Sequence, residues 1–177
     1  MIIPQSLNGE KYMEQNSQIE NKNQVKILES QIRESFGRVV YSHKTHEKCA
    51  DIAYRLHKKL KLWQIIISAI VTTSLIIRIF GENQIPLYIG AILSTFLFGL
   101  NMYMKDYDLG ELTQKHSSSG SLLWNIRESY TSLLTDIKAG VLTVEQIIEI
   151  RNILQEKLLN IYTGAPRTFS KAYKEAS

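Results

Sequence analysis

Two long uncharged stretches dominate the pattern of this chain. Leu62 to Ile77 (LWQIIISAIVTTSLII) has no charged side chain, and Asn83 to Met104 has none over a longer run; Arg78 and Glu82 are the only charges between them. An α-helix rises about 1.5 Å per residue, so roughly 20 apolar residues cross the ~30 Å hydrocarbon core of a bilayer. The second run meets that length. The first reaches it when extended to Phe80, because Lys61 and Arg78 can carry their charged heads out to the interface. Trp63, Tyr88, Tyr103 and Tyr107 stand where interfacial aromatics are expected. Gly81 suits a helix end and Pro86 a first helical turn. The pattern therefore predicts transmembrane helices over 62–80 and 85–104 joined by a tight turn at 81–84. A buried hairpin inside a soluble α-bundle is the competing reading.

Outside these runs the periodicity becomes that of packed amphipathic helices. Val25, Leu28, Ile32, Ser35, Val39, Ser42, His46, Cys49, Ala53, Leu56 and Leu60 recur at 3–4 spacing before the first span. Leu109, Leu112, His116, Ser119, Leu123, Ile126, Tyr130, Leu133 and Ile137 do so after the second. Such seams predict long, nearly antiparallel helices, each continuing a span as one rod. The small residues Ser117 to Ser121 should let the rods approach near the level of His46 and Cys49. Gly140 should stop the second rod, and Thr143 with Gln146 three residues on predicts a capping box opening a helix to about Tyr162. Gly164 and Pro166 should end that helix, with a short final helix in RTFSKAYKEAS. The expected organisation is all-α: a polar arm over 1–22, a helix over 23–61 leading into the first span, the hairpin, and further helices over 105–177.

Charge sets the expected orientation. The net charge is +4, and Lys44, Lys48, Arg55, Lys58, Lys59 and Lys61 precede the first span, with Lys105, Lys115 and Arg127 after the second. The positive-inside rule places both termini of a multi-pass membrane protein in the cytoplasm. The first thirty residues lack the apolar core of a cleavable signal. Arg55, Lys58, Lys59 and Lys61 form a basic patch at the membrane surface, suited to anionic headgroups at about 1 kcal/mol per charge. No aromatic platform accompanies that patch, so nucleic acid is not an expected partner.

Little in the sequence suggests catalysis. No phosphate-binding loop, Gly-x-Ser-x-Gly or Cys-x-x-Cys is present, and Cys49 is the one cysteine, so no internal disulfide can form. No catalytic residue, cofactor or metal is expected: His43, His46, Cys49 and His116 carry zinc-ligand atoms, but their spacing and the want of an obvious fourth ligand argue for ordinary seam packing. Within the spans, Gln64, Ser68 and Thr72 lie along one side of the first helix. Gly90, Ser94 and Asn101 fall within about 40° on the second. These six are pore-lining candidates, while Ala91, Thr95 and Gly99 form a small-xxx-small ridge for helix packing. The plainer alternative is that both stripes pack within the hairpin. Two helices cannot enclose a water-filled path, so a pore requires a homo-oligomer.

The chain resembles the SLATT family of two-transmembrane domains associated with nucleotide second-messenger and SLOG systems. The resemblance rests on a basic helix with embedded histidines (YSHKTHEKCADIAYRLHKKLKLW), the hairpin, the segment LLWNIRESYTSLLTDIKAGVLTVEQI, and IRNILQEKLLNIYTGAPRTFSKAYKEA. It implies a membrane effector of prokaryotic antiviral conflict systems that forms a pore or disrupts the inner membrane, causing dormancy or cell death. A sensor protein or nucleotide second messenger is the implied trigger, since no sensor domain is fused within this sequence. A membrane-anchored scaffold that recruits a cytosolic partner without a pore is the alternative.

Overall fold

The computed structural model describes residues 6–176. Five helices follow one another: α1 (Ser6–Phe80), α2 (Ile85–Asp106), α3 (Leu109–Ala139), α4 (Val144–Gly164) and α5 (Ser170–Ala176). No strand occurs among the described residues, so the fold is all-α. The chain divides into two compact units, one of residues up to 44 with 119–165 and one of 45–118 with 166–176.

The first unit is built on the predicted seams. Leu28, Ile32 and Val39 of α1 bury against Leu123, Ile126, Tyr130, Leu133 and Ile137 of α3 and Ile147 and Leu154 of α4. Each set recurs every three or four residues, so each helix turns one apolar stripe inward. Gly140, at φ +70°, ends α3 in the left-handed region. Its N–H donates to Ile137 O at 3.1 Å and that of Val141 to Asp136 O at 3.3 Å, the paired bonds of a Schellman ending. Thr143 opens α4 with a full capping box: Gln146 N donates to Thr143 Oγ1, and Thr143 N to Gln146 Oε1 at 2.9 Å. Ala165 is extended, as a residue before proline prefers. The capping residues, the helix they open and the short final helix thus stand where the sequence placed them.

The second unit contains the hairpin. α1 ends at Phe80 and α2 begins at Ile85, leaving the turn at 81–84. Arg78 Nη1 donates to Gly81 O at 3.0 Å, satisfying a carbonyl just past the helix end, and Asn83 Oδ1 accepts from Ile85 N at 2.9 Å. α5 is fixed by Ala172, which is fully buried.

Two expectations are corrected. Residues 6–22 belong to α1 rather than to a loose arm, because no proline follows Pro4 in this segment and its Gln, Glu and Lys residues favour helix; residues 1–5 lie outside the described residues. The second rod is not continuous either. Tyr107 leaves helical geometry (φ −106°, ψ 79°), Leu109 N donates to Tyr107 O at 2.8 Å, and Asp108 Oδ1 accepts from Glu111 N at 2.9 Å. A tight turn and an aspartate N-cap therefore separate α2 from α3. The signal was present in the sequence as Asp108 followed three residues later by Glu111.

Candidate functional site

On α1, the less exposed positions through the hairpin are Gln64, Ile67, Ser68, Val71, Ser74 and Arg78; on α2 they are Pro86, Gly90, Leu93, Leu97, Leu100 and Met104. The α2 set steps by three and four, and the α1 set does so apart from the adjacent Ile67 and Ser68, so they are the stripes along which the two helices meet. At Gly90 the helices come so near that a Cβ would collide with Ser74 Oγ. Ser74 meets its own needs by donating to Val71 O at 2.8 Å. Farther along, Gln64 Nε2 donates to Asn101 Oδ1 at 2.8 Å. This pair ties the helices together where an unpaired amide would be costly in hydrocarbon.

This arrangement distributes the polar stripe unevenly. Gln64, Ser68 and Gly90 lie in the hairpin seam; Thr72, Ser94 and Asn101 are exposed. Thr72 Oγ1 returns its proton to Ser68 O at 3.0 Å. The ridge of Ala91, Thr95 and Gly99 does not pack on α1: all three are exposed, and a Cβ at Gly99 would meet nothing within 4 Å. A helical wheel gives two small-residue stripes on α2, and only the facing Ser74 decides which of them the hairpin uses. The outward stripe borders a groove lined by Ile92, Thr95, Phe96, Gly99, Leu100 and Tyr103.

The rest of the hairpin surface is apolar and uncovered. Ile65, Ile70, Ile76, Ile79, Phe80, Ile85, Ile92, Phe96 and Phe98 are all exposed. The most apolar stretches of the two helices are only 11% and 6% buried. A hairpin in a soluble bundle would cover such side chains, since water-exposed apolar patches rarely exceed a few hundred Å².

Elsewhere in the same unit, buried polar groups cluster around α5. His46 Nδ1 lies 3.0 Å from His116 Nδ1, so one ring donates and the other accepts. His116 is fully buried and its Nε2 has no partner. Burial, with the neighbouring His46 second, lowers its pKa to about 4. Phe169 packs its ring 5.6 Å from His116, and its N–H donates to Cys49 Sγ at 3.4 Å. Burial raises the Cys49 pKa above its ordinary value, the environment of an unreactive thiol. In the first unit, His43 Nδ1 donates to Gly120 O at 2.9 Å. Among the described residues no group of three or more His, Cys, Asp or Glu side chains is placed to hold a metal ion. The basic residues Arg55, Lys58, Lys59 and Lys61 are all exposed on α1. Lys171 of α5, which sequence reasoning passed over, joins two of them around one cleft.

The model of the SMODS and SLOG-associating 2TM effector domain, family 4, matches residues 28–177. The chain belongs to this family. No curated protein and no solved structure matches it. Membership agrees with the uncovered apolar hairpin: this is a two-span membrane protein of a SLATT effector family.

Proposed function

We propose that this SLATT protein is an oligomeric inner-membrane effector of a prokaryotic antiviral system, with both termini in the cytoplasm and no enzymatic activity. A sensor protein or nucleotide signal shifts the assembly to a state that conducts or breaches the bilayer, and the cell becomes dormant or dies. The observation that carries this reading is the outward ridge of Ala91, Thr95 and Gly99, exposed on a helix whose other small-residue contact, at Gly90, is already satisfied within the hairpin. Small residues let helix backbones approach closely in a membrane, where burial of apolar area supplies no drive. Copies meeting across this ridge could direct the edge bearing Thr72, Ser94 and Asn101 toward a shared axis. Whatever the signal, it acts only by binding the open state more tightly than the closed one.

The test is membrane potential in bacteria producing the chain, read with a potential-sensitive dye beside uptake of an impermeant dye. The native chain should depolarise the cells, and Gly99→Ile, matched for membrane insertion, should not. Equal depolarisation by both would reject the ridge as the assembly surface. An intact potential together with recruitment of a cytosolic protein would favour a scaffold.

A further inference from the structure

The C-terminal helix completes a cleft that the sequence patch alone does not describe. Ile52, Arg55, Leu56 and Lys59 of α1 and Lys171 of α5 line a recess of about 390 Å³. Three of its five lining side chains are cationic, none is acidic, and Ile52 and Leu56 give it an apolar side. The position of Lys171 is not incidental. Ala172 beside it is fully buried, and Phe169 is anchored to Cys49 Sγ and stacked near His116, so this segment is held against α1 and α3 of its own unit.

We propose that this cleft binds the phosphate headgroup of an anionic phospholipid. Lys59 stands three residues and Arg55 seven before Leu62, where the first span begins. At about 1.5 Å per residue these are depths of roughly 4 and 10 Å below the hydrocarbon edge. The polar headgroup region is roughly 5–7 Å thick on each side, so Lys59 falls within it and Arg55 just below. An arginine can take a phosphate through two parallel N–H groups, while the two lysines supply compact point charges around it. Charge complementarity and depth together select the lipid. This assignment rests on the membrane reading of the hairpin but not on pore formation. Its consequence is that α5, and with it the packing around His116, is tied to the lipid surface.

The test uses the full chain carrying Trp124→Phe, leaving Trp63 as the sole tryptophan, in mixed micelles with brominated phosphatidylglycerol or brominated phosphatidylcholine. Trp63 is exposed one turn beyond Lys59, so its quenching reports lipid next to the cleft. The expected result is preferential quenching by the anionic lipid, with Lys171→Gln and Arg55→Gln each lowering the preference about five-fold, the ratio that corresponds to about 1 kcal/mol per charge. Lys171→Arg should restore it, which separates loss of charge from loss of α5 packing. Lys58→Gln, on the basic patch but outside the cleft, should lower it by clearly less than either cleft variant. A preference unaffected by Lys171→Gln, or lowered equally by Lys58→Gln, would overturn the proposal in favour of a diffuse surface charge. Abolition of the preference by millimolar inorganic phosphate would overturn it in favour of a soluble anion.

Discussion

Among the described residues, Tyr130 and His116 are buried with a polar atom that has no partner, and each makes a sharp prediction. Tyr130 is fully buried at the centre of the first unit, and its hydroxyl lacks a well-formed hydrogen bond although Ser35 is near; burial pushes its pKa up. Its ring therefore stabilises while its hydroxyl does not. Tyr130→Phe should leave the melting temperature unchanged or raise it, whereas Tyr130→Ala should cost about 3–5 kcal/mol. A large loss from Tyr130→Phe would show that the hydroxyl is satisfied. His116 makes the second prediction. The unfolded chain protonates this imidazole near 6.5, the folded chain only near 4. Between those values the unfolded state binds more protons, so the contribution of neutral His116 is complete above pH 6.5 and is lost as the pH falls through about 4. It is worth at most about 3 kcal/mol. Melting curves from pH 7 to 4 should fall less steeply for His116→Leu than for the native chain; parallel curves would contradict the assignment.

At the scale of elements, helix ends were legible in the sequence where capping chemistry is local. Gly140 and Thr143 announce the α3–α4 corner by residue type alone, because only a few side chains satisfy a helix terminus. Thr143→Ala should cost about 1 kcal/mol, and Gly140→Ala, forced to φ +70°, about 1–2 kcal/mol; denaturant midpoints of the two variants check both. The seams of α1 and α3 were equally readable, since burying one stripe requires a 3–4 repeat. The break at Tyr107–Asp108 is masked in the sequence because apolar periodicity resumes on its far side and the aspartate cap is a weaker signal than glycine or proline. The choice between the two stripes of α2 could not be read at all. It depends on Ser74 lying opposite Gly90, a relation between helices rather than a property of either. Gly90→Leu should therefore separate the hairpin at this level and lower its thermal stability by about 1–3 kcal/mol, while Gly99→Leu, with open space around it, should leave the isolated hairpin unaffected. Equal destabilisation by the two would refute the seam described here.

At the scale of the whole molecule, an apolar hairpin uncovered by its own fold and membership of a 2TM effector family point the same way. What lies beyond a single chain is how copies meet. The proposed contact is the outward ridge of α2, and disulfide trapping in native membranes probes it without an activity assay. With Cys49→Ala removing the one native thiol, Gly99→Cys should yield a cross-linked dimer under mild oxidation. Ile89→Cys, exposed and at least about 80° from each ridge residue on the same helix, should yield little. Efficient cross-linking at position 89 with none at 99 would contradict the proposed assembly surface, and with it the route from hairpin to pore.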